Sequence, residues 1–160
     1  MRPKRPERCI VHGIRFAGPL LLAFLLGACS EGYPGDDLPL ISPFDMGNEQ
    51  RLLALNEIGE SAHPDSRWTF SLDAECRLQM DHKRKGSRGL KQVFVLQQSM
   101  DVDLGFDKTD RTFGVHLMAD AGKGAQRLGV LLESPAWTEA SQAELLFQLL
   151  IRDCGKKNAD

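Results

Sequence analysis

Between residues 67 and 82 the chain alternates with hardly a break. In "RWTFSLDAECRLQMDH", Trp68, Phe70, Leu72, Ala74, Cys76, Leu78 and Met80 hold the even positions, and polar residues from Arg67 to Asp81 hold the odd ones. Alternation of this kind places one set of side chains on each face of a strand. It predicts a long half-buried strand with Cys76 on the buried face. The run exceeds the usual strand of about 5–6 residues, so a bulge or bend is expected near Asp73 and Ala74.

The same period returns three times. After "KRKGSRGLK", residues 83–91, the stretch "QVFVLQQSMDVDLGF" puts Phe94, Leu96, Met100, Val102, Leu104 and Phe106 on one face, interrupted at Gln98. "TFGVHLMA" alternates with Phe113, Val115, Leu117 and Ala119 inward, and "RLGVLLES" with Leu128, Val130 and Leu132. "DKTDR" and "DAGKGAQ" read as the turns between them. Four strands joined by short loops predict an antiparallel meander with one apolar face to be covered.

Helical spacing supplies the cover. In "SPAWTEASQAELLFQLLIRDCG", Ala143, Leu146, Phe147, Leu150 and Ile151 form a broad stripe, with Ser134 and Pro135 as the entry and Gly155 as the expected stop. A shorter helix is expected over "MGNEQRLLALNEIG", capped by Asp45, carrying Leu52, Leu55 and Ile58, and ended by Gly59. The fold class that results is α+β: a four-stranded antiparallel β-meander covered by a C-terminal helix, with a short N-terminal helix. Residues 46–160 form its single domain, and the Pro- and Gly-rich residues 29–45 read as a flexible tether.

The first 28 residues obey a different pattern. A basic segment, "MRPKRPERCIVHGIR", precedes about 13 apolar residues, "FAGPLLLAFLLGA", and then the chain turns polar. That apolar length is short of the roughly 20 residues needed to span a bilayer, and Pro19 lies within it. The order is that of a signal peptide. Leu26-Gly27-Ala28-Cys29 resembles the lipobox of bacterial lipoproteins, in which the cysteine is acylated and becomes the first residue of the mature chain. The resemblance covers only about the first 30 residues, and it implies residues 1–28 as signal peptide and Cys29 as the lipid-attachment site. By the sorting rule of that class, Ser30 in place of an aspartate implies the outer membrane, reached through acylated Cys29, with the domain on the periplasmic face. The rivals are an ordinary secretory cut after Ser30, giving a soluble periplasmic protein, and an uncleaved anchor.

Charge and cysteines change meaning once that segment is set apart. The whole chain carries a formal −2, but residues 1–28 hold five bases and one acid, which leaves about −6 on the remainder. Nothing in that balance points to nucleic acid. Of the four cysteines, Cys9 falls in the signal and Cys29 in the lipobox. Cys76 and Cys154 remain, an expected disulfide in an oxidising compartment and otherwise two buried thiols.

Candidate chemistry is sparse. His12, His63, His82 and His116 share no metal-ligand spacing, no serine lies in a G-x-S-x-G context, and no glycine-rich phosphate loop is present. The expectation is therefore no catalytic residue, no metal and no cofactor. The acid-rich "DVDLGFDKTD" departs from a calcium loop at Gly105 and Thr112, so Asp101 and Asp103 read as the wet side of a strand, with a weak calcium site over Asp101–Asp110 as the alternative. The sharpest charge feature is Lys83, Arg84, Lys85, Arg88 and Lys91, either a solvated hairpin tip or a contact for an anion or partner. The functional expectation is a membrane-anchored, non-catalytic interaction module with an envelope protein as partner. A carrier or sensor of an apolar or anionic ligand between sheet and helix is the second reading, and an enzyme the third.

Overall fold

The long alternating run is two strands. The computed structural model describes residues 41–122 and 124–157, with the order α1 (Asn48–Ser61), β1 (Ser66–Leu72), β2 (Arg77–Arg84), β3 (Leu90–Val95), β4 (Asp101–Asp107), β5 (Thr112–Met118), β6 (Arg127–Ser134) and α2 (Trp137–Lys157). The architecture is α+β, but the expected four-stranded meander is replaced by two three-stranded antiparallel sheets, β1-β2-β3 and β4-β5-β6. The signal peptide, Cys29 and most of the tether fall outside the described residues.

The β1–β2 turn explains the first difference. Phe70 pairs with Met80 and Leu72 with Leu78, so even-numbered residues oppose even-numbered ones. The alternation therefore passes through the turn in phase, and a hairpin leaves the same pattern as one long strand. Asp73 builds the turn: its Oδ1 accepts the Glu75 and Arg77 amides at 3.0 and 2.9 Å, and its backbone carbonyl accepts the Cys76 amide at 3.2 Å. Cys76 then takes the left-handed conformation, with φ of 59°, where a three-residue hairpin loop usually has glycine.

The second difference lies at residues 96–100. Here the expected second strand divides into β3 and β4, which belong to different sheets. Gln98, the residue that broke the apolar alternation, lies over Gly155, where an added Cβ would come within 2.7 Å of the Gln98 Cβ. Gly155 is thus a contact point inside α2 and not its end, since the helix continues to Lys157. Gly59 is corrected in the same way. It lies within α1, and a Cβ there would stand 2.4 Å from the Trp68 carbonyl oxygen, so glycine permits the helix to press against β1.

α1 also closes the free edge of β1. Asn56 accepts the Phe70 amide at 2.7 Å and donates to the Phe70 carbonyl at 3.1 Å, pairing as a neighbouring strand would. The N-cap of α1 is Gly47, whose amide donates to Gln50 Oε1 at 3.0 Å, in place of the expected Asp45. At the entry to α2, Ser134 accepts the Ala136 amide at 3.0 Å and donates to Glu139 at 2.7 Å, as a residue preceding a helix should.

α2 packs against all three strands of the second sheet and against α1. Its stripe of Ala143, Leu146, Phe147, Leu150 and Ile151 is buried, as the spacing predicts. Phe147 meets Phe70 edge-on with centroids 5.1 Å apart, which joins α2 to the first sheet. The Cys76–Cys154 disulfide makes the same connection covalently, across a separation of 78 residues. Phe106, at 52% exposure, lies outside the core that its position predicts, and Trp137 at the start of α2 is 58% exposed. On β6 the expected inward set is Leu128, Val130 and Leu132. A register irregularity against β5 instead buries Leu131 and Leu132 together and leaves Leu128 at 36% exposure.

Candidate functional site

The basic residues found in sequence lie together at the β2–β3 hairpin end. Lys83 and Arg84 finish β2, Lys85 and Arg88 belong to the turn, and Lys91 starts the outward row of β3. All five are exposed, and none takes part in an ion pair among the described residues. Gly86, at φ 78°, makes the turn, and the Lys85 amide ties it to the Asp65 carbonyl at 2.8 Å. The register adds a sixth cation, because Lys83 stands opposite Arg67 across the β1–β2 ladder. Like charges in that position repel. Arg67 is held at 2.9 Å from Glu60, while Lys83 has no such partner among the described residues. A shallow hollow of about 440 Å³ opens between this turn and Pro64, Asp65 and Arg67.

The outer face beside the cations is partly apolar. Odd-numbered positions place Lys91, Val93 and Val95 along β3, next to Asp81, Gln79 and Arg77 of β2. Val93 and Val95 are 55% and 52% exposed. A charged end and an apolar edge therefore share one surface.

The histidines carry a second feature that spacing did not reveal. His82 stacks face to face on Trp68, with centroids 4.6 Å apart and planes 1° from parallel. Burial lowers its pKa, Arg84 and His63 add to the shift, and Glu133 opposes it. His116 lies on the face of β5 opposite Val115 and Leu117, and it is buried there, at 8% exposure. Its ring lies over Gly105 and Gly114, which pair across β4 and β5; a Cβ on Gly114 would come 2.7 Å from the His116 Cε1. Burial lowers its pKa as well, with Arg127 helping and Asp103 and Glu133 opposing. His82 Nε2 and His116 Nδ1 are buried without a hydrogen-bond partner among the described residues. Sequence reasoning missed this pair because their common neighbourhood is made by β6, which no local spacing encodes.

The acid-rich stretch resolves into separate tasks. Asp107 Oδ1 accepts the Thr109 and Asp110 amides at 2.7 and 3.3 Å, and these bonds hold its pKa below the ordinary value. Asp101 accepts the Val102 amide at 2.8 Å. Among the described residues, no three His, Cys, Asp or Glu side chains converge as a metal-binding group. The seam between the sheets and α2 is filled by Phe70, Leu117, Leu132, Leu146 and Phe147, each at 3% exposure or less. No helix among the described residues is long and apolar enough to cross a membrane. Comparison with protein-family models, with curated proteins and with solved structures finds no match to this chain.

Proposed function

We propose that the chain is a lipid-anchored lipoprotein of the outer membrane, facing the periplasm. It acts as a non-catalytic interaction module, docking an acidic surface of an envelope protein against the β2–β3 hairpin end. The observation that carries this reading is the group Lys83, Arg84, Lys85, Arg88 and Lys91, exposed together and without an ion pair among the described residues. Cations gathered against their mutual repulsion favour an anionic contact, through attraction and through faster encounter. The adjoining Val93 and Val95 favour a protein over free phosphate, because a docking surface combines an apolar centre with a charged margin. A ligand held between sheet and helix draws no support from the packed seam, and the anchor rests on the "LLAFLLGACSEG" segment.

In-cell crosslinking from a photoreactive residue at Ser87 tests the contact. A discrete protein adduct is expected, and replacing the five bases with glutamine should remove it. An adduct that survives neutralisation removes the hairpin end from the reading, and adducts to lipid alone replace the protein partner with head-group phosphates. For the anchor, Cys29→Ser should abolish palmitate incorporation.

A further inference from the structure

Two hollows flank β6 and share Val130 and Glu133. The smaller, of about 190 Å³, lies over the Gly105–Gly114 pair and is bounded by His116, Arg127, Glu133 and Asp107, the last engaged by the Thr109 and Asp110 amides. The other, of about 290 Å³, is mainly apolar, with Trp68, Met80 and Leu90 against the stacked His82.

Three properties set this place apart from the rest of the surface. First, His116 is more than nine-tenths buried, and its Nδ1 has no hydrogen-bond partner among the described residues. A buried imidazole without a partner is destabilising unless something completes it. Second, Arg127 and Glu133 border the same hollow without forming an ion pair, with each other or with other described residues. Opposite charges that line one space but stay apart suit a ligand bearing both signs. Third, an apolar recess adjoins the charged one across Glu133. Both hollows lie at or below the lower end of the roughly 300–1,000 Å³ of small-molecule sites, which suits an occupant with about ten heavy atoms or fewer in each.

We propose that the hollows flanking β6 bind a free α-amino acid with an apolar side chain. The Arg127 guanidinium takes the carboxylate, and the Glu133 carboxylate takes the ammonium. His116 completes the polar end, and the side chain enters the recess by Trp68, Met80 and Leu90. Burial, with Arg127 beside it, keeps the imidazole uncharged near neutral pH against the pull of Asp103 and Glu133, so it adds a hydrogen bond and no further charge to a lining that holds Arg127, Glu133 and Asp107. This site is independent of the basic hairpin end.

The test uses the intact protein, with L-leucine and L-phenylalanine as probes. Calorimetry measures affinity, and nuclear magnetic resonance follows the Gly105 and Gly114 amides and the His116 ring. At least one amino acid should bind and shift those signals. Isopentylamine and 4-methylpentanoate, each carrying one charge, should bind about tenfold more weakly or worse. Arg127→Gln, at an exposed position, should weaken binding by a similar factor with the melting temperature unchanged, as should Glu133→Gln. Neutralising the five hairpin bases should leave affinity intact. The proposal is overturned if neither amino acid shifts the glycine signals, if either half-ligand binds as well as the amino acid, or if only zinc ions perturb the site.

Discussion

Arg51 of α1, 2% exposed, donates to the carboxylate of Asp153 in α2 at 2.5 Å. The same guanidinium bonds Asn48 at 2.9 Å and the Pro43 carbonyl at 3.2 Å, so one buried cation joins both helices to the segment before α1. Removing the carboxylate leaves a buried charge without its counter-ion. Asp153→Ala should cost about 3 kcal/mol in urea unfolding, and Arg51→Met combined with Asp153→Leu should cost clearly less.

The same pair sets an acid limit. Burial raises the Asp153 pKa, but the Arg51 hydrogen bond and charge, aided by Arg152, prevail and lower it overall. A carboxylate with a depressed folded-state pKa contributes fully above its unfolded value of about 4 and loses that contribution as pH falls further. The urea midpoint of the native protein should therefore drop on acidification below about pH 4. Asp153→Asn should show a shallower drop.

Half-buried His82 and buried His116 act at higher pH and in the opposite charge sense. His82 and His116 both have lowered pKa values, so below about pH 6.5 the unfolded chain binds protons that the folded chain resists. Melting temperature should fall between pH 7 and pH 5, and the doubly substituted His82→Gln, His116→Gln protein should show less of that fall.

Asn56 satisfies both backbone groups of Phe70 on the edge of β1. Asn56→Ala should cost about 2 kcal/mol and speed hydrogen exchange at the Phe70 amide. Asn56→Asp keeps the acceptor for that amide but loses the donor to the carbonyl, and should protect Phe70 better than alanine does.

Cys76 meets two demands, a crosslink and a left-handed backbone. With Cys154→Ala as the common background, changing Cys76 to glycine should give a protein more stable by about 1 kcal/mol than changing it to alanine, since glycine adopts φ of 59° freely. Losing the crosslink itself should cost about 4 kcal/mol for so long a loop. Thermal unfolding of the native protein and the two double variants separates the two effects.

The turn at Cys76 also shows where sequence reading stopped. Burial of Trp68, Phe70, Leu78, Val115, Leu117, Leu146, Phe147 and Leu150 was legible from period alone, and so was the Cys76–Cys154 pairing from elimination. The hairpin was not, because its register preserves parity and its left-handed position holds a cysteine, not glycine or asparagine. Gly59 and Gly155 look like helix stops in sequence, yet both serve close packing against partners distant in the chain, Trp68 and Gln98. The five bases were visible as a run. The hollows beside β6 were not, since Trp68, His82, His116 and Glu133 meet only when two sheets come together.

The disulfide has a consequence for how the protein is made. It encloses β2 through β6 and most of α2 in a covalent ring. A chain emerging from its N-terminus presents Cys76 long before Cys154, so the thiol of the β1–β2 turn lacks this partner until α2 is made. Ring closure requires α2, which packs on the second sheet and meets the first through Phe147 and Phe70. Oxidation of this pair therefore needs nearly the whole domain to have been made, and a chain cut short before Cys154 leaves Cys76 without this partner.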